Sequence, residues 1–487
     1  MSDTRAPSES RPERPKASDG WRAISLKFLP FADAASETLP LGRLLRLSLF
    51  QITAGMAITL LTGTVNRVMI VELGVPAWLV ALMIALPLVF APLRALIGHK
   101  SDTHVSVLGW RRAPYIWFGS LLMFGGLAIM PFALLILSGD THGPAWIGQA
   151  GGALAFLLLG AGLHTVQTAG LALATDLAPE DARPRVVALL YVMLLAGMGV
   201  SALIYGVLLA DFSQMRLIQV IQGSALVAII LNVIALWQQE ARQPALTVAE
   251  RERPGFSAAL RSLFSDPASR RLMVAVGLGA AAFGMQDVLL EPYGGEILGM
   301  GVGETTRLTA LFALGTLVGF GLAARWLDQG AEAHRLAALG ALIGIPAFSM
   351  VVFAGPLSSI ALFQAGTVLI GLGGGLFSVC TLTTAMSLTK TGDSGLALGA
   401  WGAVQATCAG LALFAGGAIR DVIQALGSSG VFGAAFALPS IGYSVVYHIE
   451  ILLLFATLAA IGPLARHAPP SSPPTKDQPF GLAAFPS

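Results

Sequence analysis

The chain has 487 residues, of which 55% are hydrophobic and only 11% are charged, and its net charge is +2. Soluble domains carry about 25% charged residues, so this composition excludes an ordinary soluble protein. The small net charge gives no reason to expect nucleic acid as a partner. Apolar runs of roughly 20 residues recur along the sequence, each long enough to cross a lipid bilayer as a helix. Because lipid satisfies no backbone hydrogen bonds, we predict an all-α polytopic membrane protein.

The first 42 residues differ from the rest of the chain. Residues 1–20 are polar and rich in proline, and they lack the apolar core of a signal peptide, so we predict that they are disordered. Residues 21–35 mix aromatic and basic side chains, a pattern typical of a segment lying on the membrane surface. An ordinary tether explains this segment equally well. We therefore assign residues 1–42 to a disordered cytoplasmic tail followed by an interfacial segment.

The apolar runs predict twelve transmembrane helices in two groups of six. The predicted spans are 44–66, 77–98, 113–137, 145–173, 185–209, 215–237, 271–293, 304–327, 335–355, 358–387, 395–419 and 444–465. We assign 43–237 to an N-terminal half and 271–466 to a C-terminal half, joined by the polar linker 238–270. The proline-rich residues 467–487 are predicted to form a disordered cytoplasmic tail.

The basic residues are distributed very unevenly between the two sides of the membrane. If both termini and every second loop share one side, the other side keeps only Arg67, Arg216, Arg307 and Arg420. The first side then holds 25 of the 29 Lys and Arg residues. Since basic residues are retained in the cytoplasm, we predict that both termini are cytoplasmic.

The two halves also resemble each other in sequence. Residues 160–177 align without gaps with 371–388, with five identical positions at an offset of 211. Separately, residues 68–72 (VMIVE) align with 287–291 (DVLLE) at an offset of 219. Apolar helices align easily, but the two matches together indicate a duplicated six-helix unit, as in two-half transporter bundles.

Residues 98–115 read GHKSDTHVSVLGWRRAPY and follow the second span. They resemble the signature between the second and third spans of the major facilitator superfamily, in which an acid pairs with basic residues and latches the cytoplasmic side. The candidate latch residues are Gly98, Asp102, Gly109, Arg111 and Arg112. The stretch departs from the signature, because Thr103 replaces a basic residue and Gly-Arg-Arg arrives late. The alternative is a loop that is basic only for topology.

Residues 283–295 read FGMQDVLLEPYGG, at the end of the seventh span. Asp287 lies 16 residues after Arg271, or roughly 24 Å along a helix. Asp287 and Glu291 are spaced i, i+4, which predicts one shared helix face, and we expect Pro292 and the following glycines to end the helix. Carboxylates at this depth usually face a cavity or a partner.

Two interpretations of this charged motif stay open. The simpler one is a polar helix end at the periplasmic interface. The other assigns a function to Asp287 and Glu291. Arg67 and Glu72 occupy the matching end of the first span, so these four residues could form a salt-bridged latch between the two halves.

Several long motifs resemble one known family. They are 28–51 (FLPFADAASETLPLGRLLRLSLFQ), 66–83 (NRVMIVELGVPAWLVALM), 94–104 (RALIGHKSDTH), 109–117 (GWRRAPYIW) and 283–299 (FGMQDVLLEPYGGEILG). Together they resemble the PucC-type family, also called the bacteriochlorophyll delivery family, a branch of the major facilitator superfamily in phototrophic bacteria. The resemblance covers nearly the whole chain except the two tails.

This resemblance implies a role in assembling light-harvesting antenna complexes. Its members are thought to bind bacteriochlorophyll or supply it to the antenna α and β polypeptides, which would be the partners together with pigment-synthesis or insertion machinery. The implied location is the bacterial cytoplasmic membrane, including the intracytoplasmic photosynthetic membrane. The GHKSDTH stretch, 98–104, favours the peripheral antenna over the core antenna.

Handling of bacteriochlorophyll would require an axial ligand for its magnesium, and His, Asn or Gln can serve. His164 is the first candidate, because Gly160 and Gly162 precede it and leave room for a flat ring. His448 and Gln286 are the other two candidates. The alternatives are a His164 hydrogen-bonded between helices and a His448 that lies at the periplasmic end of its span.

Two other classes of function can be weighed against antenna assembly. A secondary transporter of a small solute, proton-coupled through Asp287, would fit the predicted fold. Such proteins usually place several charges at the membrane midplane, whereas the charges here cluster near the ends of the spans, which favours an apolar ligand or partner. The sequence contains no metal-ligand cluster, nucleophile–base pair or phosphate loop, so we expect that the protein is not an enzyme.

Small residues are concentrated in the tenth span. Gly371, Gly373, Gly374 and Gly375 lie within five residues of one another. Such runs allow helix backbones to approach closely, so we predict close packing of this helix, with flexibility as the alternative.

Overall fold

The structure is a computed structural model that describes residues 34–36, 39–89, 110–139, 144–179, 182–240, 266–387, 394–429 and 438–466. Within these ranges the regular elements are helices. We number them α1 (Leu41–Glu72), α2 (Ala77–Val89), α3 (Ala113–Leu137), α4 (Ala145–Leu177), α5 (Arg183–Leu208), α6 (Gln214–Leu236), α7 (Pro267–Glu296), α8 (Val302–Asp328), α9 (Ala333–Ala354), α10 (Ile360–Ser387), α11 (Ser394–Ser428) and α12 (Ile441–Arg466).

These helices correspond to the twelve predicted spans. Eleven are long and apolar enough to cross a membrane, and α2 is shorter because the described residues stop at Val89. The first span was predicted to end at residue 66, but α1 continues to Glu72 because residues 68–71 are still apolar. Likewise, α11 passes the predicted end at residue 419, since the charges of Arg420 and Asp421 pair with each other and do not stop the helix.

Some expectations concern residues outside the described ranges. They include the N-terminal tail, most of the linker, the C-terminal tail and three residues of the latch motif, Gly98, Asp102 and Gly109.

The two halves contact each other most extensively through two pairs of helices, α2 with α11 and α5 with α8, and they also meet where α1 packs on α7 and α8. Glycines bring both pairs close together. A Cβ on Gly417 of α11 would lie 2.7 Å from the carbonyl oxygen of Ala77, and one on Gly303 of α8 would lie 3.0 Å from Ala210 beyond α5. These contacts lie at the end of the bundle where α1, α5, α7 and α11 finish, which we call the outer end. The positive-inside pattern predicts that this end faces the periplasm.

The helices α1 and α7 are both irregular near the outer end. Two π-helical turns, Thr59–Thr64 and Val68–Glu72, interrupt α1, and a 3₁₀ turn at Met285–Val288 interrupts α7. The second π turn and the 3₁₀ turn overlap the segments that align at an offset of 219. π turns inside α-helices frequently mark functional sites.

The helix was expected to end at Pro292 and the two glycines that follow, and this expectation is wrong. The α-helical path resumes at Leu290 and continues to Glu296. Pro292 is the third residue of this new segment, where its missing N–H would have had no helical partner. The break in α7 therefore lies at Asp287 and not behind Glu291.

Candidate functional site

Asp287 and Glu291, on either side of the end of the 3₁₀ turn in α7, have different hydrogen-bond partners. The side-chain nitrogen of Gln286 donates a hydrogen bond to Asp287. Glu291 accepts a hydrogen bond from the hydroxyl of Thr309 on α8, at 2.6 Å. The i, i+4 spacing predicts a shared face only in a continuous α-helix, so the break explains why the expected common site of these two carboxylates is absent from the structure.

Glu291 is buried where the two halves meet. Its carboxyl group fills space left by Gly63 of α1, since a Cβ there would lie 3.2 Å from Glu291 Cδ and 3.0 Å from Thr309 Oγ1. Within the described residues, Glu291 Oε2 has no hydrogen-bond partner. The acid therefore lies in a tightly packed contact between α1, α7 and α8.

Arg67 lies next to this contact and is also buried. Its guanidinium forms an ion pair with Glu72 on the same helix and donates to the carbonyl oxygen of Met300 at 3.2 Å, across the boundary between the halves. It also packs on Gly295, where a Cβ would lie 3.0 Å from one guanidinium nitrogen. The interpretation of a salt-bridged latch between the halves thus needs correction. The ion pair is internal to α1, and the link across the halves uses a backbone carbonyl.

Uncharged hydrogen bonds complete the contact at the outer end. Asn66 donates to the carbonyl oxygen of Val288 at 3.0 Å. This acceptor is free because the residue four positions later is Pro292, which has no N–H. The hydroxyls of Thr64 and Thr306 are 3.2 Å apart. The irregular segments of α1 and α7 therefore bind each other directly, which places the repeated motif at the boundary between the halves.

A further acidic residue lies in α12, and no role was predicted for it from the sequence. Glu450 of α12 is fully buried, and neither of its carboxylate oxygens has a hydrogen-bond partner in the described residues. Asp287 and the backbone N–H of Gln286 act on it electrostatically. The buried hydroxyl of Tyr447, one turn earlier, is also unpaired. An acid within a long apolar run was the signal that could have identified this cluster.

On the outer end, a network around Arg420 joins α11 to α7, α12 and α2. Arg420 pairs with Glu296 and lies 4.8 Å from the ring centre of Tyr443. The neighbouring Asp421 accepts a hydrogen bond of 2.8 Å from the backbone N–H of Trp78, at the start of α2. Asp421 therefore caps a helix that belongs to the other half.

The described part of the latch motif lies at the start of α3. The backbone N–H groups of Arg111, Arg112 and Ala113 donate to the carboxylate of Glu240 at 2.6, 3.0 and 2.8 Å. The Arg112 side chain donates to Asp176 of α4 at 3.1 Å, and Arg111 lies 3.7 Å from the same carboxylate. These partners tie α3, α4 and the segment after α6 together within the N-terminal half.

Glu240→Ala is expected to lower the stability of the protein by about 1–3 kcal/mol, because three N–H groups at a helix start lose their acceptor. Thermal unfolding of the purified protein in detergent measures this change. Asp211→Ala is the matched control, since Asp211 is exposed and its partner among the described residues is the exposed Arg216. Equal unfolding temperatures for the two variants would contradict the role of Glu240.

The three candidate pigment ligands lie in different environments. His164 is buried in α4, and its carbonyl oxygen accepts a hydrogen bond from Thr168. Gln286 is buried at the break in α7. His448 of α12 is exposed, and its Nδ1 lies 2.6 Å from the carbonyl oxygen of Ser444. The structure therefore does not bring the three candidates into one site.

Comparison with known proteins gives a consistent result over most of the chain. The profile of a family described as "PUCC protein" matches residues 64–468. A Rhodobacter capsulatus protein named for the puhA-bchM intergenic region, and described as uncharacterized, is 56% identical over 96% of this chain and 98% of its own length. Protein PucC of the same organism is 54% identical over 92% of this chain and 99% of its own length.

A more distant relative has a different description. The protein named "Bacteriochlorophyll synthase 44.5 kDa chain" of Rhodobacter capsulatus is 30% identical over 82% of this chain and 92% of its own length.

The fold also matches solved structures of membrane transporters. A bacterial homologue of the human lysosomal transporter Spinster, in an inward-facing conformation, superposes with a TM-score of 0.66 over 87% of this chain and 96% of that chain. The sequence identity is only 16%, so this likeness concerns the fold alone. The family match, the relatives and the architecture together show that this chain is a member of the PUCC protein family, a multi-pass membrane protein with the fold of major facilitator transporters.

Proposed function

We propose that this protein is an assembly factor for photosynthetic light-harvesting antenna complexes that binds bacteriochlorophyll or delivers it to the antenna α and β polypeptides. The observation that carries the proposal is the similarity to PucC proteins, at 52–56% identity over most of the chain. The relative named as a bacteriochlorophyll synthase chain adds a link to the same pigment. We further propose that the protein acts in the bacterial cytoplasmic membrane, including its intracytoplasmic extensions, and that it is not an enzyme.

The distribution of charge supports an apolar cargo. In the described residues, the buried Asp, Glu, Lys and Arg side chains are Arg67, Arg112, Glu291 and Glu450. Arg67 and Glu291 lie in the contact between the halves, and Arg112 lies at the inner end of α3. A polar solute crossing the membrane would need polar groups along its path. Three of these four charges therefore hold helices together, whereas Glu450 of α12 has no hydrogen-bond partner in the described residues.

Large apolar side chains are exposed along the helices, where lipid and other membrane segments can contact them. Exposed aromatic residues are concentrated on α3, where they are Trp117, Phe118, Phe124 and Phe132. Pigments and single-pass polypeptides approach a membrane protein through such surfaces.

We expect Asp287→Asn and Glu291→Gln to lower antenna assembly while membrane insertion is retained. Both substitutions keep the size of the side chain and remove an acid from the contacts that α7 makes at its break. The measurement is near-infrared antenna absorbance of cells that express each variant in place of the native protein, together with its amount in the membrane. Asp328→Asn, at the exposed end of α8, is the control. Normal absorbance in both variants would count against a role for this pair.

We propose the peripheral antenna as the first target, because the GHKSDTH stretch favours it. Deletion of the gene tests this choice through the absorbance bands of the two antennas. Selective loss of the peripheral band supports the choice, and selective loss of the core band refutes it.

A secondary transporter of a small solute is the alternative, favoured only by the fold of the structural neighbours. Purified protein in sealed vesicles distinguishes the two functions. Antenna assembly predicts that pigment is retained with the protein. Transport predicts uptake of a hydrophilic solute that is driven by a proton gradient.

A further inference from the structure

We propose that His448 is an axial ligand for the magnesium of one bacteriochlorophyll, and that the macrocycle lies against the lipid-facing surface of α12. The proposal rests on the proposed function, from which the pigment is taken as cargo. It adds the position at which the protein holds that cargo. The chain supplies a neutral imidazole, and its Nε2 donates a lone pair to magnesium in place of a bound water molecule.

The geometry of the imidazole ring fits this role. Nδ1 of His448 lies 2.6 Å from the carbonyl oxygen of Ser444, one turn earlier on the same helix. A carbonyl can only accept, so Nδ1 carries the hydrogen and Nε2 of the neutral ring keeps its lone pair. Metal-ligating histidines usually donate their other ring N–H to such an oxygen, which fixes the tautomer and the orientation of the ring.

The packing of α12 fixes the direction in which His448 points. Tyr443 and Tyr447 are fully buried, and their ring centres lie 5.4 and 5.7 Å from that of Tyr293 on α7. Tyr447 also packs on Phe348 of α9, with a centroid distance of 6.3 Å. Because these rings hold one face of α12 in the interior, His448 is exposed on the opposite side.

His448 lies near the outer end of α12, on the exposed side of the helix. The residue is the eighth of α12, so it lies roughly 10 Å along the helix from Ile441. Within the described residues, the ring makes its hydrogen bond through Nδ1, and Nε2 has no hydrogen-bond partner. An unpaired polar atom in hydrocarbon is unfavourable, and a Lewis acid that is itself bound to an apolar macrocycle relieves this cost.

The surface next to His448 is apolar, as a macrocycle requires. Leu452 and Phe455, which follow at i+4 and i+7, are 65% and 54% exposed. Ala456 and Ala459 are also exposed and add little bulk to the same side of the helix. A flat ring ligated by His448 can therefore cover one to two turns of α12 without displacing a packed side chain.

The other two candidate ligands are less accessible. Gln286 is 1% exposed, and its side-chain nitrogen is bound to Asp287. His164 is 9% exposed within α4. A macrocycle could reach either residue only after packed helices separate, whereas His448 needs no rearrangement.

The test is bacteriochlorophyll binding to the purified full-length protein in detergent, compared between the wild type and His448→Leu. We expect the wild type to bind pigment with a resonance Raman signature of magnesium ligated by imidazole. We expect His448→Leu to lose that signature and to bind pigment at least about tenfold more weakly. His448→Gly with added free imidazole should regain the signature. Magnesium-free pigment should not distinguish wild type from His448→Leu.

His334→Leu, at the start of α9 and at the opposite end of the bundle from His448, is the control and should bind pigment as the wild type does. Unfolding temperature and helical circular dichroism check that each variant is folded. Because His448 is exposed, its substitution is expected to leave the fold intact. If wild type and His448→Leu bind equally and give the same Raman signature, the ligand assignment is wrong while pigment handling stands. If the wild type binds no pigment at all, both the assignment and the pigment role in the proposed function fail.

Discussion

Gly315→Ala is expected to destabilise the protein by about 1–3 kcal/mol, because the new methyl group would meet the backbone of another helix. Gly315 of α8 faces α10, where a Cβ would lie 3.0 Å from the carbonyl carbon of Val368 and 3.1 Å from the nitrogen of Leu372. Small residues in membrane helices make such backbone contacts possible, and the dispersion gained there replaces the hydrophobic effect as a source of stability. Neither backbone atom can rotate away, so the two helices would have to separate.

Gly321→Ala in the same helix is the control. A Cβ at this position would have no atom within 4 Å outside its own helical neighbourhood. The substitution should be neutral, or should stabilise the protein by roughly 0.4–1 kcal/mol through the lower entropy of the unfolded chain. Thermal unfolding of both variants in the same detergent gives the comparison. If Gly315→Ala unfolded at the wild-type temperature, the close approach of α8 and α10 would be wrong.

The glycine run in α10 shows how far the sequence could predict packing. It indicated correctly that this helix would approach its neighbours closely. It could not indicate which neighbours, because the partner of each glycine depends on the rotation of the helix in the bundle. In the structure, Gly371 and Gly375 face α8, Gly373 faces Gly340 of α9, and Gly374 faces Phe283 of α7. One run therefore serves three helix pairs.

The twelve helices were predictable for a different reason. Length and apolarity of a span are local properties, and lipid leaves the backbone few alternatives to a helix. The 3₁₀ turn at Met285–Val288 was not predictable in the same way. Its four residues include no proline or glycine, and the i, i+4 rule applied to Asp287 and Glu291 assumed a regular helix. The site therefore differed from the prediction where the helix is irregular.

Arg67→Met is expected to destabilise the protein by about 1–3 kcal/mol, because it removes a buried guanidinium and leaves the carbonyl oxygen of Met300 without its donor. A second expectation is that Arg67 couples more strongly to Glu291 than to its ion-pair partner Glu72. Arg67 forms its ion pair with Glu72, but the Glu72 side chain is 38% exposed, so water can screen that carboxylate after the arginine is removed. Glu291 is buried, and Arg67 acts on it electrostatically although the two form no ion pair.

Two double-mutant cycles in thermal or chemical unfolding separate these contributions. We expect a larger coupling energy between Arg67→Met and Glu291→Gln than between Arg67→Met and Glu72→Gln. The second coupling should be at most about 1 kcal/mol, as for partly exposed ion pairs. Glu291→Gln should therefore recover part of the stability lost in Arg67→Met, because the neutral amide no longer needs a nearby cation and can keep its hydrogen bond with Thr309.

The aligned repeat gives this comparison a structural meaning. Glu72 and Glu291 occupy equivalent positions at an offset of 219. Arg67 therefore lies near two equivalent glutamates, one from each half. A dominant coupling to Glu291 would show that Arg67 stabilises the boundary between the halves as well as the end of α1. A dominant coupling to Glu72 would restrict Arg67 to its own helix. The contact of α1 with the other half would then depend on the uncharged hydrogen bonds of Asn66 and Thr64.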